Sequence, residues 1–133
     1  MAITVVRDQK ALTRHEVHIG RHAFAVDAGI DDGGEGLGPN PHDLYDAALA
    51  ACEALTVLLY AKRKSIPVEA IEVAVERDQS GERTGTYRLD SKLKLGGNLT
   101  DAQRHELLAV AQKCPVSKLM TSVRTVIETS LIE

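Results

Sequence analysis

From Ala47 to Ala61 the chain is apolar almost all the way round, interrupted by Glu53 and Thr56, within the stretch 39–64 that reads PNPHDLYDAALAACEALTVLLYAKRK. A segment apolar on every side is a helix inside a protein, not one on its surface. Both of its ends are written into the same stretch. Asn40 is a good N-cap, Pro41 fits the first helical position, Asp43 and Asp46 sit near the positive end of the helix dipole, and Lys62, Arg63 and Lys64 sit at the negative end. Helical spacing gives Cys52 a face shared with Tyr45, Ala48, Leu49, Leu55, Thr56 and Leu59, so the thiol looks along an apolar wall. The alanines at 47, 48, 50, 51 and 54 let another helix or backbone come close.

Two-residue alternation marks the strands. Ile3 to Val6 and residues 16–26, with a turn at Gly20, predict an opening β-meander. After Ser65, Ile66 and Pro67 break the helical pattern, VEAIEVAVERD (68–78) and TYRLDSKLKLGG (86–97) predict an antiparallel hairpin closed by QSGERTG. Thr100 and Gln103 form a capping box ahead of a second helix through residue 113. Cys114 stands at its end, followed by Pro115 and one or two further helical turns through Met120. The closing TVIETSLIE alternates as a strand, and the glycine-rich, acidic residues 29–40 read as a mobile crossover loop. Strands in hairpins around a long central helix and a second helix make this an α+β fold with antiparallel sheet, one domain over residues 1–133.

Charge and motifs narrow the chemistry. A net charge of −3, with no RNP-like aromatic run, finger spacing or basic arm, excludes a nucleic-acid grip as the main task. The glycine loop lacks the Gly-Lys-Ser/Thr ending of a phosphate loop and carries carboxylates that would repel phosphate. His15, His18 and His22 lie close together but lack the i, i+4 spacing of a zinc pair and a completing ligand, so no metal is expected. The start MAITVVRDQK is no signal peptide, and the apolar run reads as too short to span a bilayer; a cytoplasmic protein without membrane contact follows. In that compartment two cysteines are either buried hydrophobes or a working redox pair.

The run GPNPHDLYDAALAAC, the apolar helix after it and the later KCPVS together resemble the OsmC/Ohr family of organic hydroperoxide reductases and osmotically inducible proteins. The resemblance spans nearly the whole chain. It implies an intertwined homodimer and a thiol peroxidase that works without cofactor. In that scheme the Cys52 thiolate attacks an organic hydroperoxide and becomes a sulfenic acid, and Cys114 resolves it as a disulfide. An external dithiol, in one branch a lipoylated protein, then reduces the disulfide. Desolvation at the middle of an apolar helix raises a thiol pKa, so the nucleophile needs a cation beside it. The family supplies an arginine held by a carboxylate, from before the helix; here the candidate is Arg21, with Arg14 in reserve.

Two positions depart from the peroxidase branch. His42 stands where that branch has Glu directly after Asn-Pro, leaving Asp43 as the candidate carboxylate, and Glu53 follows Cys52 where the family usually has an aromatic or small residue. Nine helical residues separate Asp43 from Cys52, about 13 Å, so that carboxylate reaches a sulfur only from a second chain. The competing reading is a non-catalytic small-ligand-binding or redox-sensing dimer on the same fold. A third is a structural dimer with inert buried thiols.

Overall fold

The N-terminal alternation folds as a three-stranded antiparallel meander of β1 (Ile3–Arg7), β2 (His15–Ile19) and β3 (His22–Val26) in that order. The Ile19↔His22 register leaves Gly20 and Arg21 as a two-residue turn, and Gly20 takes φ +58°, the left-handed backbone that such a turn requires at its first position. This is the computed structural model of the chain; it describes residues 1–132 and divides into two compact units, Met1–Asp46 and Ala47–Glu133.

In the first unit the crossover residues 27–40 are tied down where the sequence suggests mobility. Asp27 is buried and accepts hydrogen bonds from the Thr13 hydroxyl, from the Ala28 N–H at 2.8 Å and from the Leu37 N–H at 3.0 Å, while its own N–H donates to Pro39 O at 3.1 Å. One carboxylate thus satisfies loop amides that would otherwise need water.

Helix α1 (Pro41–Arg63) starts as its sequence dictates: the Asn40 side chain accepts from the Asp43 N–H and the Asp43 carboxylate accepts from the Asn40 N–H, each at 2.9 Å. At 23 residues it is long and apolar enough to cross a bilayer by length and composition, which corrects the expectation of a run too short to span one. Packing makes it a core helix: Val57 and Ala61 are buried with Ile66, Leu107 and Ala111.

The second unit adds the hairpin of β4 (Ala70–Asp78) and β5 (Arg88–Gly96), then α2 (Asp101–Ala111) and α3 (Pro115–Thr121). Ile71, Leu93 and Leu95 of the hairpin pack on the α1–α2 core, and outward Glu72, Lys92 and Lys94 stay exposed, the half-buried alternation read from the sequence. The Thr100–Gln103 capping box at the start of α2 is present with both hydrogen bonds.

Two expectations need correction. The opposite face of α1 is not enclosed: Leu55 and Leu59 are 59% and 60% exposed, in line with Tyr45. One short chain covers only one side of an all-round apolar helix. The closing strand is also absent, since residues 124–132 pair with no other strand among the described residues; Glu133, the last residue of that stretch, lies outside them. Alternation supplies strand preference, but a ladder also needs an edge to bond to.

Candidate functional site

Both cysteines belong to the second unit and are reduced. Cys52 is half-buried at the middle of α1, and its Sγ lies 3.8 Å from the hydroxyl of Thr56, one helical turn on. Cys114 caps α3 with its sulfur, which accepts from the Ser117 N–H at 3.3 Å, and it is 0% exposed. Pro115 at the first position of α3 needs no N–H partner and holds the short helix to a start at Cys114.

The two sulfurs interact. Burial pushes the Cys114 thiol above its ordinary pKa; the Ser117 N–H pulls the other way, and a hydrogen bond and charge from Cys52, with the charge of Glu53, push it up further. The Cys114 thiol is therefore held protonated at neutral pH, foremost by its burial. Cys52 is the more accessible of the two thiols.

Glu53 sits on the buried side of α1, 9% exposed, and its Oε2 accepts a hydrogen bond from the Ser91 hydroxyl of β5. Ser91 escapes a reading by hydrophobic pattern. It is exposed and stands in register line with Leu89 and Leu93, opposite Val75, where a polar residue interrupts an apolar series. That interruption, set beside a carboxylate in an apolar helix, was the available signal.

The remaining sequence candidates lie in the first unit. Arg21 is exposed in the β2–β3 turn, whereas Arg14 is half-buried and pairs with Asp8 at 3.0 Å. Asp43 is engaged in the reciprocal cap with Asn40, so the helix start already accounts for its place in the chain. His15 Nδ1 lies 2.7 Å from Thr13 O and His18 pairs with Glu16 at 2.9 Å, and no group of three or more His, Cys, Asp or Glu among the described residues could hold a metal ion.

The fold has well-formed counterparts among solved structures. An OsmC-like protein from Mycoplasma pneumoniae superposes with a TM-score of 0.74 at 20% identity, over 92% of this chain and 87% of that one. An organic hydroperoxide resistance protein OsmC from Legionella pneumophila gives 0.64 at 22% identity, over 91% and 88%. The organic hydroperoxide resistance protein OhrB of Bacillus subtilis gives 0.58 at 24% identity, over 92% of each chain. At these identities the likeness is one of fold. No curated protein matches the sequence. A family model, however, that of the OsmC-like protein, matches residues 33–130, a span that carries α1, the β4–β5 hairpin, α2, α3 and both cysteines, and the chain belongs to that family.

Proposed function

We propose that this protein is a cysteine-based thiol peroxidase that reduces organic hydroperoxides to alcohols. The observation that carries the reading is the thiol pair: a half-buried Cys52 on an apolar helix interacting with a fully buried Cys114 whose proton is held by desolvation. Cys52 attacks the distal peroxide oxygen, the alcohol leaves, and the resulting sulfenic acid condenses with Cys114 to give a disulfide and water. An external dithiol restores both thiols. Several family relatives of known structure carry hydroperoxide resistance in their names, which supports the substrate class.

The open face of α1 supports a homodimer, the usual state in this family. Tyr45, Leu55 and Leu59 lie along one face of α1, Leu55 and Leu59 about one turn apart and Tyr45 nearly three turns before Leu55, and a second copy would bury them. Arg21 remains the proposed cation for the Cys52 thiolate and Asp43 its proposed anchor, with the Arg14–Asp8 pair the competing arginine and carboxylate.

Turnover of cumene hydroperoxide with dihydrolipoamide as reductant tests the reading. Wild type should consume peroxide, Cys52→Ser should not, and Cys114→Ser should complete one turnover and retain a trappable sulfenic acid. Arg21→Ala and Arg14→Ala, compared for sulfenic acid formation, identify the activating cation. Absence of consumption by the reduced wild-type protein would overturn the peroxidase assignment.

A further inference from the structure

Two polar residues interrupt the apolar run of α1, Glu53 and Thr56, and the fold gives Glu53 a partner in Ser91. Thr56 is left to explain. It is half-buried one turn after Cys52, and its Oγ1 lies 3.8 Å from Cys52 Sγ, a hydrogen-bonding separation for an atom as large as sulfur.

A threonine in a helix commonly bonds its hydroxyl to the carbonyl four residues back, and Thr121 of α3 does so, donating to Ser117 O at 2.7 Å. For Thr56 the corresponding carbonyl belongs to Cys52. Its hydroxyl meets the Cys52 sulfur instead, the one hydrogen-bond partner it has among the described residues. Helix side chains tilt toward the N-terminus, so a residue at i+4 leans over the one at i, and the backbone itself delivers this hydroxyl to the sulfur.

The two forms of Cys52 value that contact differently. A neutral thiol is a weak donor and a weak acceptor and gains little from it. A thiolate only accepts, and the O–H can turn toward it to make a charge-assisted hydrogen bond about twice as strong as a neutral one. An interaction that favours the charged form offsets the desolvation that an apolar helix imposes on a thiolate. We propose that the Thr56 hydroxyl donates a hydrogen bond to the Cys52 thiolate and holds that sulfur in its nucleophilic form. This rests on the reading of Cys52 as the reacting thiol, and adds to the proposed arginine a group from the same helix. The titratable groups bearing on Cys52 from its surroundings are Cys114, which interacts with it from the start of α3, and Glu53, its neighbour in α1.

The test follows thiol reactivity and does not depend on peroxide chemistry. In the reduced full-length protein with Cys114→Ala, Cys52 is the remaining thiol and position 114 offers it no donor. Reaction with 4,4′-dithiodipyridine is followed from about pH 6 to about pH 10, a range that brackets ordinary thiol ionisation. Thr56→Val keeps the β-branched shape and removes the hydroxyl. The midpoint of its pH–rate profile should rise by about one unit, so that the thiolate fraction on the acid side falls about tenfold. A more basic thiolate is also more nucleophilic, with a Brønsted slope of about 0.4–0.5, so the observed rate should fall about threefold on the acid side and rise about threefold above both midpoints. Thr56→Ser, which keeps the hydroxyl, should follow the parent. In the chain with both cysteines the first equivalent released should show the same crossover, so the test does not hang on one background variant.

A purely structural role for Thr56 would change the rate by one factor at every pH. That outcome, or an unchanged profile in Thr56→Val, overturns the assignment, and so does a Thr56→Ser profile that follows Thr56→Val. The crossover in a protein that consumes no hydroperoxide leaves Thr56 in place and removes only the peroxidase reading. Hydroperoxide turnover with no crossover removes Thr56 and leaves that reading.

Discussion

The two units of this chain reach order by opposite means. Residues 47–133 close on apolar side chains: Val57 and Leu107 are fully buried, and Ala61, Ile66 and Ala111 complete the cluster beneath the β4–β5 hairpin. Residues 1–46 have Val17 as their buried hydrophobic side chain, and their long crossover is held by Asp27 and by two glycines at close approaches, Gly34 against the crossover's own backbone and Gly38 against that of β3. A Cβ on Gly34 would stand 2.1 Å from Ala28 O, and one on Gly38 2.6 Å from Ala25 O. Hydrocarbon packing tolerates no loss of volume, whereas a polar strap tolerates no gain of volume and no loss of charge. The thiol pair belongs to the packed unit, where desolvation can raise a thiol pKa; the strap could not supply that.

The comparison breaks most deeply in the packed unit. Leu107→Ala removes a fully buried side chain and should cost about 2–5 kcal/mol of stability, read as a lowered midpoint in urea unfolding. A variant as stable as wild type would mean that the α1–α2 contact is not the centre of the core. Gly34→Ala should cost about 1–3 kcal/mol, because the added methyl would stand 2.1 Å from Ala28 O, a backbone atom that cannot move aside cheaply. Its amide exchange should accelerate across residues 27–40 and leave α2 protected, and uniform acceleration would contradict the separation of the two modes of closure.

The smallest effect is a titration. The Thr13 hydroxyl, with the Leu37 and Ala28 amides, holds the Asp27 carboxyl below the usual carboxylate range, so its contribution is complete above the unfolded value, about 3.9. That contribution is lost as pH falls through the lowered folded value. Exchange at the Ala28 and Leu37 amides should therefore rise in acid in wild type beyond the intrinsic pH trend, and Asp27→Asn should show fast exchange already at neutral pH. Equal protection of wild type and Asp27→Asn at pH 7 would remove Asp27 from the strap.

Much of this was legible in order along the chain. The α1 caps, the meander turn at Gly20, the β4–β5 hairpin and the Thr100–Gln103 box are local devices, each fixed by residues within a few positions of one another. The motif around Cys52 and the later KCPVS pointed to a family that the match over residues 33–130 bears out. Asp27, by contrast, reads as one acidic residue at the end of the alternating stretch, just ahead of the glycine-rich loop, and Ser91 as one polar residue in a strand. Their partners are 14 and 38 positions away, beyond any local pattern.

The sequence by itself determined where helices and strands begin, which faces are apolar, and that two cysteines lie on or beside helices, because those features follow from spacing and capping over a few residues. Tertiary structure alone decided that Cys114 is the buried thiol, that Glu53 is carried into the core and met by Ser91, and that one face of α1 stays open. It also decided that an alternating C-terminal segment finds no ladder among the described residues. Desolvation, pairing and exposure depend on what the rest of the chain brings near a residue, and periodicity records which way a side chain points but not what it meets.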